Sequence, residues 1–172
     1  MMRHAPLLLA ALLLAAAPAA LATQTSERAT VRAVPSATST TPGAIIRVAV
    51  KIQDARDAGS VPFTLLYDPS VLEFLPSASS EGDFMRRDGS KTSFLAVQSS
   101  RKGTISGIVV GLSRLRSDKG ASGRGTLCHL VFRARAEGLA SLSFGQAAIL
   151  DPKAGRLASE FQSGSILVRR PR

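Results

Sequence analysis

From Val31 onward, apolar residues fall at every second position in short bursts, and Gly, Pro, Ser, Thr or Asp breaks each burst. The clearest burst is 45–52. There Ile46, Val48, Val50 and Ile52 share one side, and Arg47, Ala49 and Lys51 share the other. A period of two marks a strand with one buried face. The same pattern predicts strands at 31–34, 63–67, 71–75, 92–97, 103–112, 126–134, 140–144, 148–150 and 165–168. The breaks at 36–43, 54–60, 76–89 and 114–125 read as turns and loops. Pro69 stops the strand before it, because proline has no N–H for the ladder. No segment shows an amphipathic helical period of useful length. Strands at this spacing, with no helices between them, predict an all-β sandwich or jelly roll. Its expected core is Ile46, Val48, Val50, Phe63, Leu65, Leu72, Phe94, Leu130, Phe132, Leu142, Phe144 and Ile166.

The N-terminal region follows a different rule. A short positive start with Arg3 and His4 precedes an apolar run over 7–17, and Ala20-Leu21-Ala22 follows Pro18. That order predicts a secretory signal peptide over 1–22 cleaved after Ala22, then a loose segment 23–30, the domain 31–168 and a basic tail 169–172. The run is shorter than the ~20 apolar residues of a membrane span, and no later run reaches that length. The expected location is therefore the periplasm or the cell exterior.

Composition narrows the chemistry. The chain carries a formal net charge of +10. Its basic residues are single or paired, as at Arg86-Arg87 and Arg101-Lys102, with no basic block. Exported chains rarely meet nucleic acid, so the charge points to a solvated surface or to acidic partners. Cys128 is the only cysteine, which excludes an internal disulfide. Cys128 and His129 are adjacent, and neighbours on a strand face opposite ways, so they do not form a catalytic dyad. Glu81, Asp83 and Asp88 lack the spacing of a calcium loop. Residues 120–126 are glycine-rich but lack the Lys and following helix of a phosphate cradle. With no Trp and one Tyr, a flat aromatic sugar platform has little support. No catalytic residue, metal site or cofactor is expected.

Several fragments in order resemble the cohesin domain family. They include Val48-Ala49-Val50, Phe63-Thr64-Leu65-Leu66-Tyr67-Asp68-Pro69-Ser70-Val71-Leu72-Glu73-Phe74, Gly82-Asp83-Phe84, Gly103-Thr104-Ile105, Gly125-Thr126-Leu127-Cys128-His129-Leu130-Val131-Phe132 and Gly164-Ser165-Ile166-Leu167-Val168. The Tyr67–Glu73 run is the most specific of these. Its physical content is a strand end where Asp68 bonds the turn backbone and Pro69 presets φ.

The resemblance implies a nine-stranded jelly-roll β-sandwich and a non-catalytic module. Cohesins dock dockerin modules, small calcium-loaded helical partners, in secreted polysaccharide-degrading complexes. Cohesin-like domains also occur in exported bacterial proteins outside such complexes, and this chain, without scaffold repeats, looks more like those. Cellulosomal cohesins carry polar recognition residues where this chain has Ser60 and Pro62. Two other functional classes stay open: a carbohydrate-binding module that takes polysaccharide, and an assembly subunit of a secretion or cell-surface apparatus.

Alternation, with the resemblance assigning strands to a docking sheet, gives the expected partner-binding face. It comprises Thr64 and Leu66, then Val109 between Gly107 and Gly111, then His129, Val131 and Arg133. Such a face is flat and partly apolar with basic edges, the composition of a protein interface.

Overall fold

A computed structural model describes residues 28–99, 105–115 and 118–170. The signal peptide, its cleavage point after Ala22 and most of the loose segment lie outside the described residues. The strands are β1 (Ala29–Pro35), β2 (Ser39–Thr40), β3 (Ile45–Ala58), β4 (Phe63–Tyr67), β5 (Leu72–Phe74), β6 (Ser80–Glu81) and β7 (Thr92–Ser99). They continue as β8 (Ser106–Arg114), β9 (Ala121–Ala134), β10 (Gly138–Ala147), β11 (Ile149–Leu150), β12 (Arg156–Leu157), β13 (Ser159–Gln162) and β14 (Gly164–Val168). Two single 3-10 turns, Pro76–Ala78 and Phe84–Arg86, are the helical elements among the described residues.

Twelve of the strands form two six-stranded sheets, and β11 and β12 pair as a separate two-stranded sheet. The first runs β13-β1-β3-β9-β5, with β6 also on β9; the second runs β2-β14-β10-β4-β8-β7. The expected all-β sandwich is the observed fold. The ladders divide into fourteen segments, so the nine expected strands do not map one to one. The first strand also begins earlier than expected, because Ala29 and Thr30 already pair with Ser159 and Glu160 of β13.

Alternation fills the space between the sheets. Ile46, Val48 and Val50 of β3 pair with Phe132, Leu130 and Cys128 of β9, and all six side chains are buried. Phe63, Leu65 and Tyr67 come from the opposite sheet and are buried as well. The Tyr67 and Phe132 rings meet edge-on across the core at 5.3 Å, and Phe144 of β10 meets Phe161 of β13 at 5.3 Å. Of the twelve expected core residues, Phe94 and Phe144 are partly buried against the cluster and the other ten are within it. Truncating one of these large side chains leaves a cavity, at about 2–5 kcal/mol for a leucine.

Two departures from the sequence reading share a cause. Residues 54–60 and 114–125 read as loops, yet β3 runs to Ala58 and β9 starts at Ala121. The ladder continues through bulges between Ile52 and Ala55 and between Ala55 and Ala58. Asp54 and Asp57 absorb the bulges with φ of 54°, a region aspartate enters more readily than most residues. Asp57 is then held from β9's side: its Oδ1 accepts the Gly120 N–H at 2.6 Å, and its own N–H donates to Ser122 Oγ at 2.9 Å. A Cβ at Gly120 would collide with the Asp57 carbonyl, so this approach requires glycine.

The Asp68 turn forms as expected. Asp68 Oδ1 accepts from the Ser70 N–H at 2.8 Å and from Ser70 Oγ at 2.6 Å. At the C-terminal end, Ser163 alone separates β13 from β14, so the chain passes there from the first sheet into the second. β13 pairs parallel to β1, from Ala29↔Ser159 to Arg32↔Gln162.

Candidate functional site

The six expected site residues do not form one face. Thr64 and Leu66 on β4 and Val109 on β8 lie in the second sheet, while His129, Val131 and Arg133 on β9 lie in the first. All six alternate away from the core, but the two sheets turn their outer faces in opposite directions. Strand pairing explains the split: β9 joins β3 by a long ladder, and β4 joins β8.

The three β9 residues are also engaged within the chain. Val131 is only 3% exposed. The segment after β5 crosses over it, with Leu75 N–H donating to the Val131 carbonyl at 2.8 Å and Val131 N–H donating to Ser79 Oγ at 3.0 Å. Arg133, one of the expected basic edges, has its Nη1 3.3 Å from Glu73 Oε2 across the β5–β9 pair. His129 is half-buried beside β6, and its Nδ1 has no hydrogen-bond partner among the described residues. Burial holds its pKa below the ordinary value, helped by the Arg47 charge and opposed by Asp83.

The other three residues belong to a contiguous surface. Thr64 stands opposite Val109, and Leu66 opposite Gly107. Beyond them, Val97 pairs with Val109 and Leu95 with Gly111 on the β7 side, and Ser143 pairs with Leu66 on the β10 side. Leu95, Val97 and Val109 are 56%, 48% and 44% exposed. The outward positions of β10, β4, β8 and β7 carry no charged residue among the described residues. In a chain with 20% charged residues, that is a marked local depletion, and depletion of charge is the compositional mark of an interface centre.

Small residues shape this surface. Three shallow hollows lie along β4; Gly107, Gly145 and Ser99 make room for the second below, and Ser141 and Ser143 for the third. One of about 520 Å³ borders Phe63 and Thr64, one of about 230 Å³ lies over Thr64, Leu66 and Gly107, and one of about 220 Å³ lies beyond Leu66 near Ser141. Arg156 borders the first hollow and Asp68 the last, so the uncharged floor ends in a base at one end of β4 and an acid at the other. Leu95, Val97 and the β10 serines were absent from the sequence-derived site. The signal for the first two was present, because Phe94 facing the core obliges Leu95 to face out.

The rim at the β8 end is fixed internally. Arg114 buries all but 4% of its side chain and pairs with Asp88 through Nη1–Oδ2 at 2.8 Å and Nη2–Oδ1 at 3.1 Å. That pair, with Ser90, pulls the Asp88 carboxyl down to about 2. The Ser60 hydroxyl lies 2.7 Å from Ser113 Oγ.

The remaining chemistry is quiet. Burial pushes the Cys128 thiol up to about 12, which removes the thiolate a nucleophile needs. No group of three or more His, Cys, Asp or Glu residues that could hold a metal occurs among the described residues. Every large exposed hydrophobic among them is aliphatic. No helix of the described residues is long and apolar enough to cross a membrane.

A sandwich with a broad, uncharged outer face and a chemically inert interior has the form of a surface-recognition module. The chain belongs to the cohesin domain family, whose model matches it over residues 31–168. Cohesin domains are non-catalytic binding modules. Among solved structures, a non-cellulosomal cohesin from the hyperthermophilic archaeon Archaeoglobus fulgidus is 24% identical, with a TM-score of 0.63 over 83% of this chain and 92% of that one. A mutant type II cohesin–X-dockerin complex from Acetivibrio cellulolyticus matches at 16% identity and a TM-score of 0.67, over 83% of this chain and 100% of that one. A type I cohesin–dockerin complex from Clostridium thermocellum matches at 14% identity and a TM-score of 0.61, over 84% and 94%. At these identities the likeness is one of fold. No curated protein matches the chain in sequence.

Proposed function

We propose that this chain is an exported, non-catalytic module that captures a protein partner of dockerin type on the outer face of β10, β4, β8 and β7. The observation that carries the reading is the uncharged, hollowed surface centred on Thr64, Leu66 and Val109. A face without charge can be covered without stripping water from an ion, and desolvating an unpaired charge costs several kcal/mol. The hollows accept the projecting side chains of a helix-sized partner. Arg156 and Asp68 at opposite ends give that partner a preferred direction. The apolar run and the Ala20-Leu21-Ala22 stretch support export with cleavage after Ala22.

The test is titration of the full chain with a calcium-loaded dockerin module. The double substitution Leu66→Asp with Val109→Asp should abolish binding while the melting temperature changes little. Full affinity in that variant would overturn the face assignment. Calcium chelation should release the dockerin; failure of the unaltered chain to bind it at all would point to a partner of another kind, such as a component of a secretion or cell-surface apparatus. N-terminal sequencing of secreted material that starts at Met1 would refute cleavage.

A further inference from the structure

The opposite side of the sandwich has a different chemistry. The outward positions of β1 and β3 include Arg32 and Val34, then Ile45, Arg47, Ala49 and Lys51. Arg32 stands directly across from Lys51 in the β1–β3 register. Among the described residues, Arg32, Arg47 and Lys51 form no ion pair. Like charges directly opposite on a sheet are unfavourable, and among the described residues no acid forms an ion pair with either of them. Asp83, whose Oδ1 accepts from the N–H of Lys51's cross-strand partner Thr126 at 3.0 Å, is paired with Arg87 at 2.9 Å, and Glu73 is paired with Arg133 at 3.3 Å. Glu160, diagonal to Arg32 on β13, keeps its charge beside Gln162, so the face retains a net positive charge from Arg32, Arg47 and Lys51. Among these cations, Val34 and Ile45 are 37% and 57% exposed.

Unneutralised cations around exposed aliphatic side chains on a flat sheet are complementary to a surface that is anionic outside and apolar just beneath. An acidic polysaccharide satisfies the cations but offers nothing to Val34 and Ile45. A bilayer interface satisfies both. We propose that the Arg32–Arg47–Lys51 face rests on an anionic lipid surface, with Val34 and Ile45 reaching between the headgroups. This site is independent of the partner face, which lies on the other sheet and stays free when the module is seated.

The experiment is co-sedimentation of the chain with vesicles of phosphatidylglycerol and phosphatidylcholine in equal parts, against vesicles of pure phosphatidylcholine. The chain used is the exported form proposed above, which begins at Thr23, so the apolar run does not contribute to vesicle binding. The chain should sediment with the anionic vesicles and be released by salt. Each basic residue near such a surface is worth about fivefold, on the order of 1 kcal/mol. The double variant R32Q/K51Q should therefore bind about 25-fold more weakly, with its melting temperature unchanged or raised. The partner-face variant Leu66→Asp with Val109→Asp should sediment like the unaltered chain. Equal sedimentation of R32Q/K51Q and the unaltered chain would overturn the proposal. So would retention on immobilised polygalacturonate with no vesicle binding, which would assign the face to an acidic polysaccharide.

Discussion

On β4 and β8 the outward positions hold Thr64, Leu66, Gly107, Val109 and Gly111; on β1 and β3 they include Arg32, Val34, Arg47 and Lys51. Inward, the two pairs of strands are alike, each a row of aliphatic and aromatic side chains, with Ser106 and Arg114 at the two ends of β8. The fold therefore constrains only one side of each strand. Glycine weakens a strand interior, because it has no side chain to pack and loses more entropy on ordering. Glycines on one outer face and opposed cations on the other are each locally unfavourable for folding. Gly107 makes room for Thr64, whose Cγ2 a Cβ there would meet at 3.0 Å, but nothing crowds Gly111; under the two proposals above, Gly111 and the opposed cations answer to what the faces touch.

The largest effect tests whether the two faces share one core. Phe132 on β9 contacts Tyr67 from the opposite sheet and Phe74 from its own. Phe132→Ala should lower stability by about 3–5 kcal/mol, measured by denaturant unfolding. Loss of one binding activity with unaltered stability would mean that the faces are not coupled through the core.

A smaller effect separates folding from recognition on the uncharged face. A Cβ at Gly111 would have no neighbour within 4 Å. Gly111→Lys should leave stability within about 0.5 kcal/mol. It should weaken partner capture by at least about 1 kcal/mol, since a rim charge would become a covered one. Unchanged capture would move the interface away from β7 and β8.

Acid should loosen the uncharged side through its rim. The folded pKa of Asp88, about 2, lies below the ~3.9 of an unfolded aspartate, so its pairing with Arg114 stabilises fully above that range and is lost as pH falls toward 2. Asp68 and Asp83, also lowered by hydrogen bonds from Ser70 and from Thr126 and Arg87, act in the same direction. Melting temperature should decline between about pH 4 and pH 2, and Asp88→Asn should make that decline shallower. An identical pH profile in the variant would show that the rim pair is not coupled to unfolding.

The smallest effect lies on the basic face. Lys51→Glu converts a repulsive cross-strand pair with Arg32 into an attractive one, a gain of about 0.2–1 kcal/mol. Thermal unfolding at low salt should show the increase, and high salt should remove it. A loss of stability would mean that Arg32 and Lys51 turn away from each other.

The inward half of this molecule was legible in the sequence, because burial imposes a period of two and nothing else competes for those positions. The Asp68 turn was legible for a similar reason, since its hydrogen bonds are local. The sheet to which each strand belongs was not. Alternation tells inside from outside but is silent on which of two outsides a residue faces, so His129, Val131 and Arg133 were grouped with Thr64, Leu66 and Val109. That choice depends on the β3–β9 and β4–β8 pairings, between segments far apart in the chain. Asp54 and Asp57 misled in another way. Aspartates that normally end a strand here carry it through two bulges.

The crossing from β13 into β14 bears on how the domain would carry a pull along its length. The described chain enters at the start of β1 and leaves after β14, and β13 lies parallel to β1. Tension on those two ends pulls β1 and the β13–β14 path lengthwise past each other. The ladder Ala29↔Ser159 to Arg32↔Gln162 is then loaded in shear, all its bonds at once, instead of being peeled open one bond at a time. The strand that joins the two sheets thus serves as a clasp against stretching.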